Sequence, residues 1–131
     1  MLLINLNFDY EADDCTALLN GTYDTQLTET MQYLSTLTCP VLLRIGGEVN
    51  VWNNMPVGST FISAYQYVAD WARYYAPNVA LVYSVNFSSR SGVDLDDFYP
   101  GDSYVDWVGV SLYYNRYANN GDTTNDAHLT M

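Results

Sequence analysis

The chain has 131 residues, 49% of them hydrophobic, which is enough for one core at the common size of a single domain. Its formal charge of −11 comes from fifteen Asp and Glu against four Arg and no Lys, so there is no basic patch to neutralise phosphates, and nucleic acid and anionic membrane surfaces are excluded as natural partners. No run approaches the roughly 18 apolar residues that cross a bilayer, and the opening MLLINLNFDY lacks the basic start and small-residue cleavage site of a signal peptide.

Leu2 to Phe8 is a short, β-prone apolar run ending at Asp9, and the Asp-, Asn- and Gly-rich stretch through Gly21 reads as its exit loop. From Asp24 to Leu37 the residues Leu27, Met31, Leu34 and Leu37 recur at helical spacing until Pro40 stops the pattern. Val41 to Ile45 is a second strand, broken by Gly46 and Gly47, whose exit carries Glu48, Asn50, Trp52, Asn53 and Asn54. Ser59 or Thr60 can cap a second helix with Phe61, Ala64, Tyr65, Val68, Ala72 and Tyr75 as its buried stripe, ended by Pro77. Val79 to Val85 is a third strand and Val105 to Leu112 a fourth. Between them the expected helix shrinks to one turn around Asp94 to Phe98, and Pro100-Gly101 fits the centre of a type II turn.

The helix exits LTCPVLL and YAPNVAL place Pro and then an apolar strand at equivalent points, so a βα unit repeats. Continuous apolar strands alternating with amphipathic helices mean an α/β fold with a parallel, helix-covered sheet. A closed (β/α)8 barrel takes about 250 residues, so the chain supplies about half of one and leaves two open parallel edges. Cys15 and Cys39 flank the first expected helix on opposite sides, about 20 Å apart by helix length alone, and are expected as free thiols. No metal or cofactor is expected: His128 is the only histidine and lies in the polar tail.

In α/β folds chemistry collects where strands end and exit loops begin. Those positions hold Asp9; Arg44, Glu48, Asn50 and Trp52; Asn86; and Ser111, Tyr113 and Tyr114. Glu48 follows a rigid apolar strand and two glycines that permit a tight bend, the placement a general acid needs; the plainer alternative is a loop carboxylate that caps or pairs. Arg44 is placed to hold the electrostatics of neighbouring carboxylates. Asn86 can bind a sugar hydroxyl or form a turn. Thirteen Tyr and three Trp beside many Asn, Ser and Thr suit sugar stacking as well as core packing. The aromatics Tyr65, Tyr67, Trp71, Tyr74 and Tyr75 within the second helix, and Trp107 within a strand, read as packing. Asp94, Asp96, Asp97 and Asp102 lack the spacing of a calcium loop and read as caps and turns.

The segments RIGGEVNVW and YPGDSYVDWVGVSLYY resemble the family 26 glycoside hydrolases, β-mannanase-like members of the clan A barrels, over most of the chain. That family ends its fourth strand in Arg-x-x-His-Glu-Met-Asn, with the Glu as acid/base. The resemblance therefore implies Glu48 as catalytic acid/base, with Arg44 and Asn50 aligned beside it. The family's Trp-Val-Gly-x-Asp-x-Tyr segment matches Trp107, Val108, Gly109 and Tyr113, and implies that Tyr113 orients the nucleophile. Trp52 lies near the family's substrate-stacking Trp, one residue closer to Glu48. Gly47 replaces the family's His and Ser111 its usual Asp, which points to a different glycan or to a barrel that binds sugar without cleaving it.

Under the resemblance, residues 1–131 form one incomplete catalytic domain spanning roughly strands three to six of a TIM barrel, with 115–131 as a polar C-terminal tail. The expected activity is retaining hydrolysis of a β-linked polysaccharide, plausible as an endo-β-mannanase type. The nucleophile ends a seventh strand that nothing after Tyr114 resembles, so the fragment alone is expected to be inactive. The expected partner is an extracellular polysaccharide.

Overall fold

The computed structural model describes residues 1–8, 12–51, 58–89 and 91–112. Four strands, β1 (Leu2–Leu6), β2 (Val41–Ile45), β3 (Val79–Asn86) and β4 (Trp107–Ser111), form one sheet. They pair in chain order, every neighbour parallel. Two helices, α1 (Ala12–Leu19) and α2 (Asp24–Ser35), connect β1 to β2, and α3 (Ser59–Tyr75) connects β2 to β3. Among its described residues the β3–β4 connection carries two 3-10 turns, Leu95–Phe98 and Asp102–Tyr104, and no longer helix.

A parallel sheet whose strands advance steadily in one direction, joined by right-handed crossovers, stacks all its helices on one face. The burial of β2 shows this directly. Val41, Leu43 and Ile45 are buried, whereas Leu42 and Arg44 between them are only half-buried. The covered face packs Val41, Leu43, Ile45, Leu81, Tyr83 and Val85 against Leu27, Met31 and Leu34 of α2 and Phe61, Ala64, Tyr65, Val68 and Ala72 of α3. Phe61 is the hub, edge-on to Phe8 at 6.0 Å and to Phe98 at 5.7 Å. The opposite face is an open groove lined by Leu3, Leu42, Arg44, Val82, Ser84, Trp107, Gly109 and Ser111.

The strands, α2, α3 and the one-turn remnant before β4 lie where sequence periodicity puts them. The stretch expected as a loop up to Gly21 is instead mostly α1. Its Asn20-Gly21 pair does not mark a continuous loop; it terminates a helix. Gly21 takes φ 77, its N–H donates to the Leu18 carbonyl at 2.9 Å, and the Thr22 N–H reaches the Ala17 carbonyl at 3.1 Å, a Schellman ending.

Neither Ser59 nor Thr60 caps α3. Gly58, at φ 82, is the N-cap, with no side-chain hydrogen bond. Gly101 has φ 100 and ψ 152, far from the ψ near 0° of a type II turn; it is an extended, glycine-favouring conformation that leads into the second 3-10 turn. Trp107 is 63% exposed on the open face rather than packed.

The acidic cluster caps and ties turns, as its spacing implies. Asp94 and Asp97 form a reciprocal capping box around Leu95–Phe98, and Asp102 accepts from the Tyr99 hydroxyl at 2.8 Å. Cys15 is buried and Cys39 exposed, both as free thiols, with burial pushing the Cys15 thiol up to about 11.

Candidate active site

The site grows from the turn that leaves β2. Gly46 extends the ladder by donating its N–H to the Leu6 carbonyl at 2.8 Å, with φ 59. A side chain there would meet the Phe61 ring at 2.6 Å and the Phe8 ring at 3.2 Å, so glycine is needed for both conformation and space. The chain then turns so that the Glu48 N–H bonds the Ser84 carbonyl of β3 at 3.0 Å. Glu48 itself has φ 62, the only non-glycine residue with positive φ among those described. A glutamate held in the left-handed region marks a position where surrounding structure overrides local preference, a pattern concentrated at functional sites.

Both carboxylate oxygens of Glu48 face donors. Oε1 lies 3.8 Å from Arg44 Nη2, and Oε2 accepts from Asn86 Nδ2 at 3.3 Å. Arg44 in turn donates from Nη2 to Ser111 Oγ at 3.0 Å, bridging β2 to β4 across the open face. The side chains of Arg44 and Glu48 are 20% and 14% exposed, so the carboxylate is held yet not fully buried, beside an arginine that lines the groove.

Asn50 is fully buried. Its Oδ1 accepts from the Asn86 N–H at 2.7 Å, and its Nδ2 donates to the Asn86 carbonyl at 2.8 Å and to Ser89 Oγ at 3.0 Å. It thereby acts as one more peptide unit at the end of β3 and fixes the backbone from which Asn86 reaches Glu48. Asn86 also closes an Asx-type turn, its Oδ1 accepting from the Ser88 N–H at 3.0 Å. Both readings of Asn86, turn former and site residue, meet in one side chain.

Of the residues expected at the strand ends, Arg44, Glu48, Asn50, Asn86 and Ser111 converge. Asp9, Trp52, Tyr113 and Tyr114 lie outside the described residues. Sequence reasoning missed the clamp role of Asn50 and its partner Ser89, because an Asn in a polar loop gives no sign of burial. It also missed the left-handed backbone of Glu48. Among the described residues, Glu48 is the one carboxylate at the C-terminal ends of the four strands.

This arrangement, a partly exposed carboxylate at a strand end flanked by a guanidinium and an amide, is suited to proton transfer. Among known proteins, the sequence model described as "Glycosyl hydrolase family 26" matches residues 6–129. The chain is similar to a "Beta-1,3-xylanase TXYA" of Vibrio sp, 28% identical over 131 residues, covering 96% of this chain and 27% of that protein. It is also similar to a "Beta-1,3-xylanase" of Alcaligenes sp, 30% identical over 112 residues, covering 82% of this chain and 23% of that protein. The chain thus spans about a quarter of the length of these curated relatives.

Proposed function

The chain belongs to glycosyl hydrolase family 26, and on that premise we propose that it carries the acid/base of a retaining hydrolase of β-linked polysaccharide, with Glu48 in that role. The observation that carries this reading is the Glu48 carboxylate at the end of β2, held between Arg44 and Asn86 on a left-handed backbone. In our reading the four strands are the third to sixth of a closed (β/α)8 barrel, and the open groove is part of its interior. That placement is supported by the sequential parallel order and, among the described residues, by helices packed on one face of the sheet.

Retaining hydrolysis takes two carboxylates about 5.5 Å apart. Glu48 protonates the glycosidic oxygen as the sugar leaves, while the second, on a strand following β4, attacks the anomeric carbon. Glu48, now anionic, then takes a proton from the water that releases the sugar. Arg44 and Asn86 stay beside both forms of the carboxylate, and Asn50 acts by fixing Asn86. Trp52 and Tyr113 take the roles the family resemblance gives them, stacking on a sugar face and orienting the nucleophile.

The names of the two relatives favour β-1,3-xylan as the substrate, with β-mannan second. A polymer of that kind must be met outside the cell, and among the described residues no helix is long and apolar enough to cross a membrane. The 131-residue chain on its own is expected to be inactive, because it provides one of the two carboxylates.

The test is reducing-end release from β-1,3-xylan, β-1,4-xylan, β-mannan and β-glucan by the complete reading frame containing this chain, native and Glu48→Gln. Native cleavage with a loss of about a hundredfold or more in the variant supports the proposal. Glycan binding without any native cleavage would replace it with a non-catalytic carbohydrate-binding barrel.

A further inference from the structure

Gly46 and Gly47 stand together in sequence but are glycine for different reasons. Gly46 has positive φ; Gly47 does not. A side chain at Gly47 would have to displace Arg44: from a Cβ built there, the guanidinium Nε and Nη1 would lie 2.7 and 2.8 Å away, with Cζ closer still. The guanidinium therefore occupies the space that any other residue at this position would fill.

Seated there, Arg44 reaches across the open face to Ser111 and lies beside Glu48. Its Nε is buried without a hydrogen-bond partner, so the space left at Gly47 and the Ser111 hydrogen bond together hold it. Nη2 carries the hydrogen bond to Ser111, and Nη1 makes no hydrogen bond to another described residue. A cationic N–H without a partner among the described residues thus sits on a partly exposed side chain next to the candidate proton donor.

We infer that Gly47, Arg44 and Ser111 act as one specificity unit, in which the absence of a side chain at Gly47 seats the Arg44 guanidinium so that Nη1 donates to a hydroxyl of a neutral sugar bound against Glu48. This rests on the reading that Glu48 works on a glycan. A neutral ligand is favoured over a uronate: Glu48 stands 3.8 Å from the same guanidinium and the chain carries a net charge of −11, so a second anion would be repelled. Gly47 and Ser111 are positioning residues, acting through Arg44.

The test is a double-mutant cycle of Gly47→Ala and Ser111→Ala in the complete reading frame, read as Kd for a neutral β-linked xylo-oligosaccharide by calorimetry and as kcat/KM on the polymer. Each single variant should weaken both quantities by about fivefold or more, and the pair should lose no more than the worse single variant, because either change already frees the guanidinium. Thermal melting should show Ser111→Ala folded like the native protein, so that variant decides the matter even if Gly47→Ala is destabilised. Native-like Kd in Ser111→Ala, losses that multiply, or tighter binding of a uronate oligosaccharide would each overturn the unit. Because Kd is independent of turnover, these results stay distinct from a failure of Glu48 as acid/base, which would appear as cleavage surviving Glu48→Gln.

Discussion

Glu48 occupies a backbone conformation that costs a non-glycine residue about 1 kcal/mol. A Glu48→Gly variant should therefore be more stable than Glu48→Ala by about 1 kcal/mol, measured by urea unfolding in the complete reading frame; equal stabilities would mean that the turn is not strained. Asn50 makes a contrasting case. Its amide is buried and makes three hydrogen bonds at the end of β3, so Asn50→Ala should cost about 2 kcal/mol and also lower activity by loosening Asn86. An Asn50→Ala protein as stable as the native one would remove the clamp from the account. Glu48 was legible in the sequence because an apolar strand, two glycines and a carboxylate form a recognisable order. Asn50 was legible only as a neighbour: burial of a polar loop residue depends on what β3 brings to it, 36 residues away.

At the level of elements, the β3–β4 connection is held without a long helix, and Asp106 does much of the holding. It accepts from the Leu81 N–H and from Arg73 Nη2, each at 2.7 Å. The Arg73 hydrogen bond, helped by that from Leu81 and opposed by burial, keeps the Asp106 carboxyl below the usual carboxylate range. A carboxyl depressed in the folded state contributes stability that is present above its unfolded value, about 4, and is lost as pH falls through the folded value. Asp106→Asn should accordingly flatten the decline of the urea midpoint below about pH 4; an unchanged slope would show that this group does not carry it. The helical and strand periods made α2, α3 and all four strands legible, since one buried face fixes each pattern. Helix α1 escaped because its acidic, Asn-Gly-terminated sequence carries loop residues at both ends, and among its described side chains only Cys15 and Leu18 are buried in the core. Gly58 and Gly101 were misjudged for a related reason: glycine reports that an unusual conformation is allowed, not which one is adopted.

The described residues form a singly wound parallel sheet with one face packed and the other open. Leu3 on β1 is 60% exposed, and Trp107, Val108 and Val110 on β4 are 63%, 62% and 53% exposed, a concentration of apolar surface on the two strands whose outer edges are unpaired among the described residues. Residues 1–131 produced alone should bind a hydrophobic dye and self-associate at micromolar concentration, whereas the complete reading frame should do neither; a monodisperse, dye-silent piece would contradict placing these strands inside a larger barrel. The parallel class was legible from unbroken apolar strands between amphipathic helices. Closure was not, because it depends on what pairs with the outer edges of β1 and β4. The glycan itself was expected to be mannan from motif likeness, whereas the two relatives are named β-1,3-xylanases, and short strand-end motifs hold too few residues to define a sugar.

The measurement that bears most directly on Glu48 as acid/base compares two substrates in one variant. In Glu48→Gln, cleavage of β-1,3-xylan should fall by about a hundredfold or more, while an aryl xyloside whose leaving group needs no protonation should still release its first equivalent of phenolate at close to the native rate. Equal losses on both substrates, or undiminished xylan cleavage, would contradict the assignment.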